Sequence, residues 1–120
     1  MGTREVAEDF AGMMMAGDYD AAAMKYWSED LATYEAMQGG MPDGMDETHG
    51  KEAAIAKAEW WYANNEVHSM ATEGPFVHGD HFMLIMAIEV TPKDGERTQM
   101  REIVDYHVVD DKIVAERYFY

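Results

Sequence analysis

A chain of 120 residues has room for one compact unit, and an apolar share of 48% beside a charged share of 28% is a globular composition, not a disordered one. The absence of cysteine removes disulfides, thiolate nucleophiles and thiolate-bound metal centres. A formal net charge of −15 repels phosphate backbones and anionic bilayers, so neither nucleic acid nor a membrane is an expected partner.

Val6, Phe10, Met13 and Met14 recur at spacings of three and four and predict a first helix. Thr3 suits its cap, Glu5 its first turn and Gly17 its end. Asp18 can cap a second, shorter helix with Tyr19, Ala22, Ala23, Tyr26 and Trp27 on its buried side. Leu31 to Met37 reads as a short strand. Gln38 to Thr48, with three glycines and a proline and no periodicity, reads as a surface loop. A third helix runs from about Gly50 to Asn64. Ile55, Ala58, Trp61 and Tyr62 mark its buried face, and Lys51, Glu52 and Lys57 fall mostly elsewhere.

From Glu66 the period changes. Glu66 to Val77 is strand-like, with a bend at Gly74-Pro75. Phe82 to Thr91, Thr98 to Val109 and Ile113 to Tyr120 follow as strands, separated by turns at Gly79-Asp80, Pro92 to Glu96 and Asp110-Asp111. Helices first and an antiparallel meander afterwards is an α+β pattern. A sheet that curls around a helix encloses a cavity on its concave side. The longest apolar run, Phe82 to Ile88, is far short of a bilayer span. Glu5, Glu8 and Asp9 stand where a signal peptide would be basic and then apolar. The expectation is a soluble, cytoplasmic protein. Its acidity reads as a solvated surface, with adaptation to high salt as a second reading.

The order of these segments, with Gly17-Asp18 between the first helices and Gly50-Lys51-Glu52-Ala53-Ala54-Ile55 opening the third, resembles the nuclear transport factor 2-like superfamily. Within it the likeness is to SnoaL-like domains. It is most specific at Val67-His68-Ser69, Gly74 to Asp80, Phe82, Met100 to Tyr106, Asp110 to Val114 and Glu116 to Tyr120. The resemblance spans residues 1–120 as one domain. It implies a cone-shaped α+β fold, a curved antiparallel sheet wrapped around N-terminal helices (the cystatin-like cone), with an apolar pocket and frequent dimerisation through the sheet. Its relatives include cyclases, isomerases, epoxide hydrolases, dehydratases and non-catalytic binding modules, so fold alone does not name an activity.

Ketosteroid isomerases of this superfamily use a tyrosine on the first helix, an aspartate base after the first strand and a neutral aspartic acid on the penultimate strand. The likeness puts those places at Phe10, Ala36 and Val104, and none can do that chemistry. Glu35, one step from the base position, is expected on the opposite face. The aspartate that SnoaL-type cyclases use falls at Tyr118.

The last hairpin decides which side chains meet the pocket. A two-residue turn at Asp110-Asp111 would set Asp105 opposite Glu116, an unfavourable like-charge pair. A three-residue loop, Val109 to Asp111, is preferred here; it sets Tyr106 opposite Val114, Val104 opposite Glu116 and Glu102 opposite Tyr118. One face then carries Glu102, Val104, Tyr106, Val108, Val114, Glu116 and Tyr118, and the resemblance turns that face to the cavity. Glu102, Glu116 and Tyr106 are the candidate catalytic residues. Burial would raise the carboxyl pKa values, a glutamate could remove a proton beside a carbonyl, and a tyrosine could stabilise the enolate. His68, Tyr118, Val104, Tyr26, Trp61 and Phe82 are the candidate ligand-binding residues. All of these also have plain structural readings, as core or rim residues.

His78 and His81 flank a turn three residues apart, with no third ligand nearby in sequence, and read as a surface hairpin. His49, in the loop, and His107, on the outward face, read as surface or interface positions with no chemistry. No metal and no cofactor are expected. Two functions stay open: an acid–base enzyme on a small apolar, carbonyl-bearing molecule, and a non-catalytic ligand-binding or dimerisation module. Either would take a small hydrophobic ligand and act as a homodimer.

Overall fold

The computed structural model describes residues 2–36, 41–42 and 44–120. Helix α1 (Thr3–Met15) buries Val6, Ala7, Phe10 and Ala11, the stripe that its spacing predicts. Gly2, not Thr3, is its N-cap. Its end closes in a paired motif: Gly17 takes a positive φ of 84° while its N–H bonds Met14 O and the N–H of Asp18 bonds Met13 O. Helix α2 (Tyr19–Tyr26) follows and passes directly into strand β1 (Trp27–Tyr34). The strand therefore starts four residues before the predicted Leu31, and Trp27 opens it instead of ending the helix.

Of the predicted loop Gln38 to Thr48, residues 38–40 and 43 lie outside the described residues, as does Met37 of the predicted strand. Glu47–His49 forms β2, antiparallel to β1. Helix α3 (Lys51–Asn64) runs into β3 (Asn65–His78), and β4 (His81–Pro92), β5 (Thr98–Val109) and β6 (Lys112–Phe119) complete a six-stranded sheet. Its order is β2-β1-β6-β5-β4-β3, with β1 parallel to β6 and every other pair antiparallel. The sheet curves without closing, and the helices fill its concave side, giving an α+β cone. The alternating side chains of β4 (Phe82, Leu84, Met86, Ile88 and Val90) are buried against Phe10 and the rest of α1. Among the described residues no helix is long and apolar enough to cross a membrane.

Two bulges correct the predicted registers. The last hairpin has neither weighed register throughout. Asp110 and Asp111 both take positive φ (50° and 64°), as a two-residue primed turn requires, and Val109 pairs with Lys112. A register shift beside Val114 then sets Asp105 opposite Arg117 and Tyr106 opposite Glu116. The like-charge contact that argued against a two-residue turn is thereby replaced by an opposite-charge pair. The observed register differs from the preferred one by two residues, so Glu102, Val104, Tyr106, Glu116 and Tyr118 still share one face. Val114 does not join them, because Ile113 takes the buried place opposite Val108.

In β3, Val67 pairs with Val90 and Ser69 with Glu89, leaving His68 as the extra residue. Alternation breaks there: Val67 and Met70 pack on the core, and His68, expected to face the cavity, is exposed and bonded to Thr91 Oγ1 at 2.7 Å. A third shift, between Glu73 and Phe76, falls at the predicted Gly74-Pro75 bend.

Candidate functional site

A cavity of about 180 Å³ opens on the concave side of the sheet. Phe10, Met14, Met70, Met86 and Ile88 form apolar wall, and Trp27, Trp61 and Tyr62 add aromatic edges. Of the predicted residues, Glu102, Glu116, Tyr106, Tyr118 and Trp61 line it. Val104 and Phe82 are fully buried but lie behind the lining, where the Phe82 ring stacks on Tyr106 with centroids 4.7 Å apart. Tyr26 is also core, its hydroxyl donating to Asp9 and its ring set edge-on to Phe10. His68 is outside, for the reason given above. Trp60 lies on a more polar hollow beyond the cavity mouth, with Asn64, Lys93 and Tyr120.

Two polar residues in the cavity, Lys57 and Glu35, were placed elsewhere from sequence. Lys57, assigned to the outer side of α3, is only 6% exposed. Its Nζ donates to Glu35 Oε2 at 2.7 Å and to Thr33 Oγ1 at 2.9 Å, and it lies 4.8 Å from the centre of the Tyr118 ring. Ala54, Lys57, Ala58 and Trp61 all meet the cavity at helical spacing, so the position was legible; the charge argued against it. Glu35, expected on the opposite face, follows Leu31 and Thr33 at spacings of two and shares their inward side. Tyr120 donates to its other oxygen at 3.1 Å.

Glu116 sits at the centre, 3% exposed. Trp27 Nε1 donates to its Oε1 at 2.6 Å and the Tyr118 hydroxyl to its Oε2 at 2.7 Å. Burial still pushes its carboxyl up, with those two bonds and Lys57 opposing. Glu102 differs. Among the described residues its carboxyl has no hydrogen-bond or ion-pair partner. Burial, then the charges of Glu35 and Glu116, push it up to about 7, with Lys57 opposing. The Tyr106 hydroxyl likewise has no partner among the described residues, and burial, then Glu116 and Glu102, raise its pKa well above the ordinary value.

The SnoaL-like domain profile matches residues 1–120. No functionally curated protein matches the chain. Among solved structures, one from Mesorhizobium loti, named provisionally as a SnoaL-like polyketide cyclase with carbohydrate phosphatase in brackets, is 45% identical over 100% of both chains at a TM-score of 0.93. A Xanthomonas campestris protein of unknown function with a cystatin-like fold is 16% identical over 99% of this chain and 90% of its own, at a TM-score of 0.78. A Mycobacterium tuberculosis protein solved with estradiol-17β-hemisuccinate is 19% identical over 100% of this chain and 95% of its own, at a TM-score of 0.72. At such identities the last two speak for the fold alone. With the profile spanning residues 1–120 and a relative at 45% identity, this chain belongs to the SnoaL-like family.

Proposed function

We propose that the protein is a cofactor-free acid–base enzyme acting on a small, mostly apolar, carbonyl-bearing molecule, of the isomerase, cyclase or dehydratase type. The observation that carries this reading is Glu102. Unlike Glu35 and Glu116 it has no partner among the described residues, unlike the exposed Asp20 it is largely shielded from water, and its pKa near 7 lets it both accept and return a proton at neutral pH. Glu35 is neutralised by Lys57, and Glu116 has a donor on each oxygen. Those two organise the site's charge, and Glu102 does the transfer. Glu102 removes a proton from the carbon beside the carbonyl, and the electron pair moves onto the carbonyl oxygen. The free Tyr106 hydroxyl and the Lys57 ammonium are the donors for that oxyanion. Returning the proton to another carbon completes an isomerisation; attack of the enolate carbon on an internal electrophile completes a cyclisation.

The cavity is of the size class that takes a single-ring molecule, since a void of about 150 Å³ suffices for benzene. The test is a thermal-shift panel of ketones, lactones, epoxides and steroid-like compounds, followed by proton–deuterium exchange in D₂O at the carbon beside the carbonyl of each hit. A ligand at 100 times its Kd adds about 2.7 kcal/mol. Exchange by wild type and its loss in Glu102→Gln, with binding retained, is the expected result. A hit that binds without any exchange favours the second reading, a binding module, for which the full pairing of Glu116 and Glu35 already speaks.

The protein also acts as a homodimer in this proposal. Phe76 and Met83 pair across β3 and β4, and Ile103 pairs with Phe119 across β5 and β6; all four are exposed on the convex face. A second copy of the same face would cover them, as sedimentation velocity can show.

A further inference from the structure

Far from the cavity, on the convex side of the sheet, three metal-ligating side chains converge. His81 and His107 face one another across β4 and β5. Their rings stack with centroids 4.4 Å apart and planes 2° from parallel. Asp80, in the turn before His81, reaches both: its Oδ2 accepts from His107 Nε2 at 2.9 Å, and its Oδ1 lies 3.7 Å from His81 Nε2. One ligand atom from each of the three lies within 4.8 Å of the others.

From sequence, His78 and His81 read as a surface hairpin and His107 as a surface or interface position, with no metal expected. The sheet register supplies His107 from a strand 26 residues away in number, and His78 is not in the group. The backbone holds the arrangement, because the amide of Val108 donates to Asp80 O at 2.8 Å and ties the turn to the neighbour of His107.

A second observation concerns the tautomer of His81. Its Nδ1 lies 3.0 Å and 3.2 Å from the two oxygens of Asp105, which can only accept, so the Nδ1 proton is the donor. In neutral His81 that leaves Nε2 as an acceptor 3.7 Å from Asp80 Oδ1, also an acceptor. A cation between them resolves the conflict. Carboxylate behind histidine behind metal is the usual second layer of a metal site, which fixes the ring and raises its basicity.

We infer that Asp80, His81 and His107 form a binding site for a divalent transition metal of the zinc class, with Asp105 positioning His81 from behind. Two imidazoles and one carboxylate suit such an ion, and a fourth position stays open to water. Ligand atoms in a tetrahedral zinc site stand about 3.3 Å apart, from bond lengths of about 2.0–2.1 Å. The present spacing of up to 4.8 Å must shorten, and the two parallel rings must turn toward one another, for both to bind one ion. The proton on His107 Nε2 moves to its Nδ1 or is released as the ion takes its place. The strongly acidic chain attracts cations to this exposed edge.

The test is calorimetric titration of untagged protein with ZnCl₂, with Co²⁺ visible absorption as a second readout of the ligand field. The expected result is one ion per chain. Affinity should fall at least about tenfold in Asp80→Asn and about ten- to a hundredfold in Asp105→Asn, which removes only the support for His81. It should be abolished in the His81→Gln, His107→Gln double variant, and unchanged in His49→Gln and His78→Gln. Absence of zinc binding by wild type overturns the site, and so does binding that survives the double variant. If the double variant misfolds, the exposed Asp80→Asn decides alone: undiminished affinity there refutes the assignment.

Discussion

Replacing Glu102 by glutamine tests the site electrostatics without any knowledge of the substrate. In the fold this carboxyl holds its proton up to about pH 7, and in the unfolded chain it releases it near its ordinary value of 4.5. Between those values the folded state binds a proton that the unfolded state has lost. Stability therefore falls as pH rises through 4.5 to 7, and the loss is complete above 7. At about 1.4 kcal/mol per pH unit the full effect is about 3 kcal/mol. Glutamine keeps the shape and carries no charge at any pH. The variant should match wild type within about 1 kcal/mol at pH 4.5, and exceed it by about 3 kcal/mol at pH 8.5. For a domain of this size that difference is roughly 10 °C in Tm. Urea unfolding of both proteins at the two pH values measures it, and subtraction removes every group common to both. Glu116 answers in part, since loss of the neighbouring charge lets it ionise more readily. A wild-type minus variant difference that is independent of pH, or that favours wild type at high pH, would refute the electrostatic reading of the cavity.

Activity on any substrate found should rise with pH through about 7 as Glu102 ionises, and a pH–rate profile flat between 5.5 and 8.5 would exclude it as the base. Lys57→Met strands Glu35 in the cavity and should cost about 3–5 kcal/mol in urea unfolding, much of it recovered in Lys57→Met, Glu35→Gln. Trp27→Phe removes one of the two donors to Glu116 and should destabilise by about 1–3 kcal/mol; a change below that range means the bond is not held in solution. Gly74 has a φ of 125° and a Cβ there would stand 3.0 Å from Met83 O and 3.2 Å from Leu84 Cδ2, so Gly74→Ala should lower the unfolding midpoint by several degrees.

The candidate site shows which placements can be read from sequence. Alternation and the assumed hairpin set Glu102, Tyr106, Glu116 and Tyr118 on one face, and the family likeness turned that face to the cavity; the wrong turn did no harm, because the register error was an even number and parity survived it. His68 was lost to an odd error, a single inserted residue at the β3 bulge, which turned it to solvent. Lys57 was set aside because a charge on an apolar stripe normally argues for water; its aliphatic stem packs inward and its ammonium finds Glu35, a partner 22 residues away.

Periodicity and turn residues are local properties, so the sequence by itself determined the helices, the meander, the α+β class and the family likeness. It also determined the faces of β4 and β5, which carry no internal bulge between them. What only the tertiary structure decided are the meetings between distant segments. These are the Trp27 and Tyr118 bonds on Glu116, the Lys57–Glu35 pair, the partnerless Glu102 carboxyl and the stacking of His81 on His107. Such contacts depend on the accumulated register of the whole sheet, where one added residue in a strand reverses every side chain beyond it.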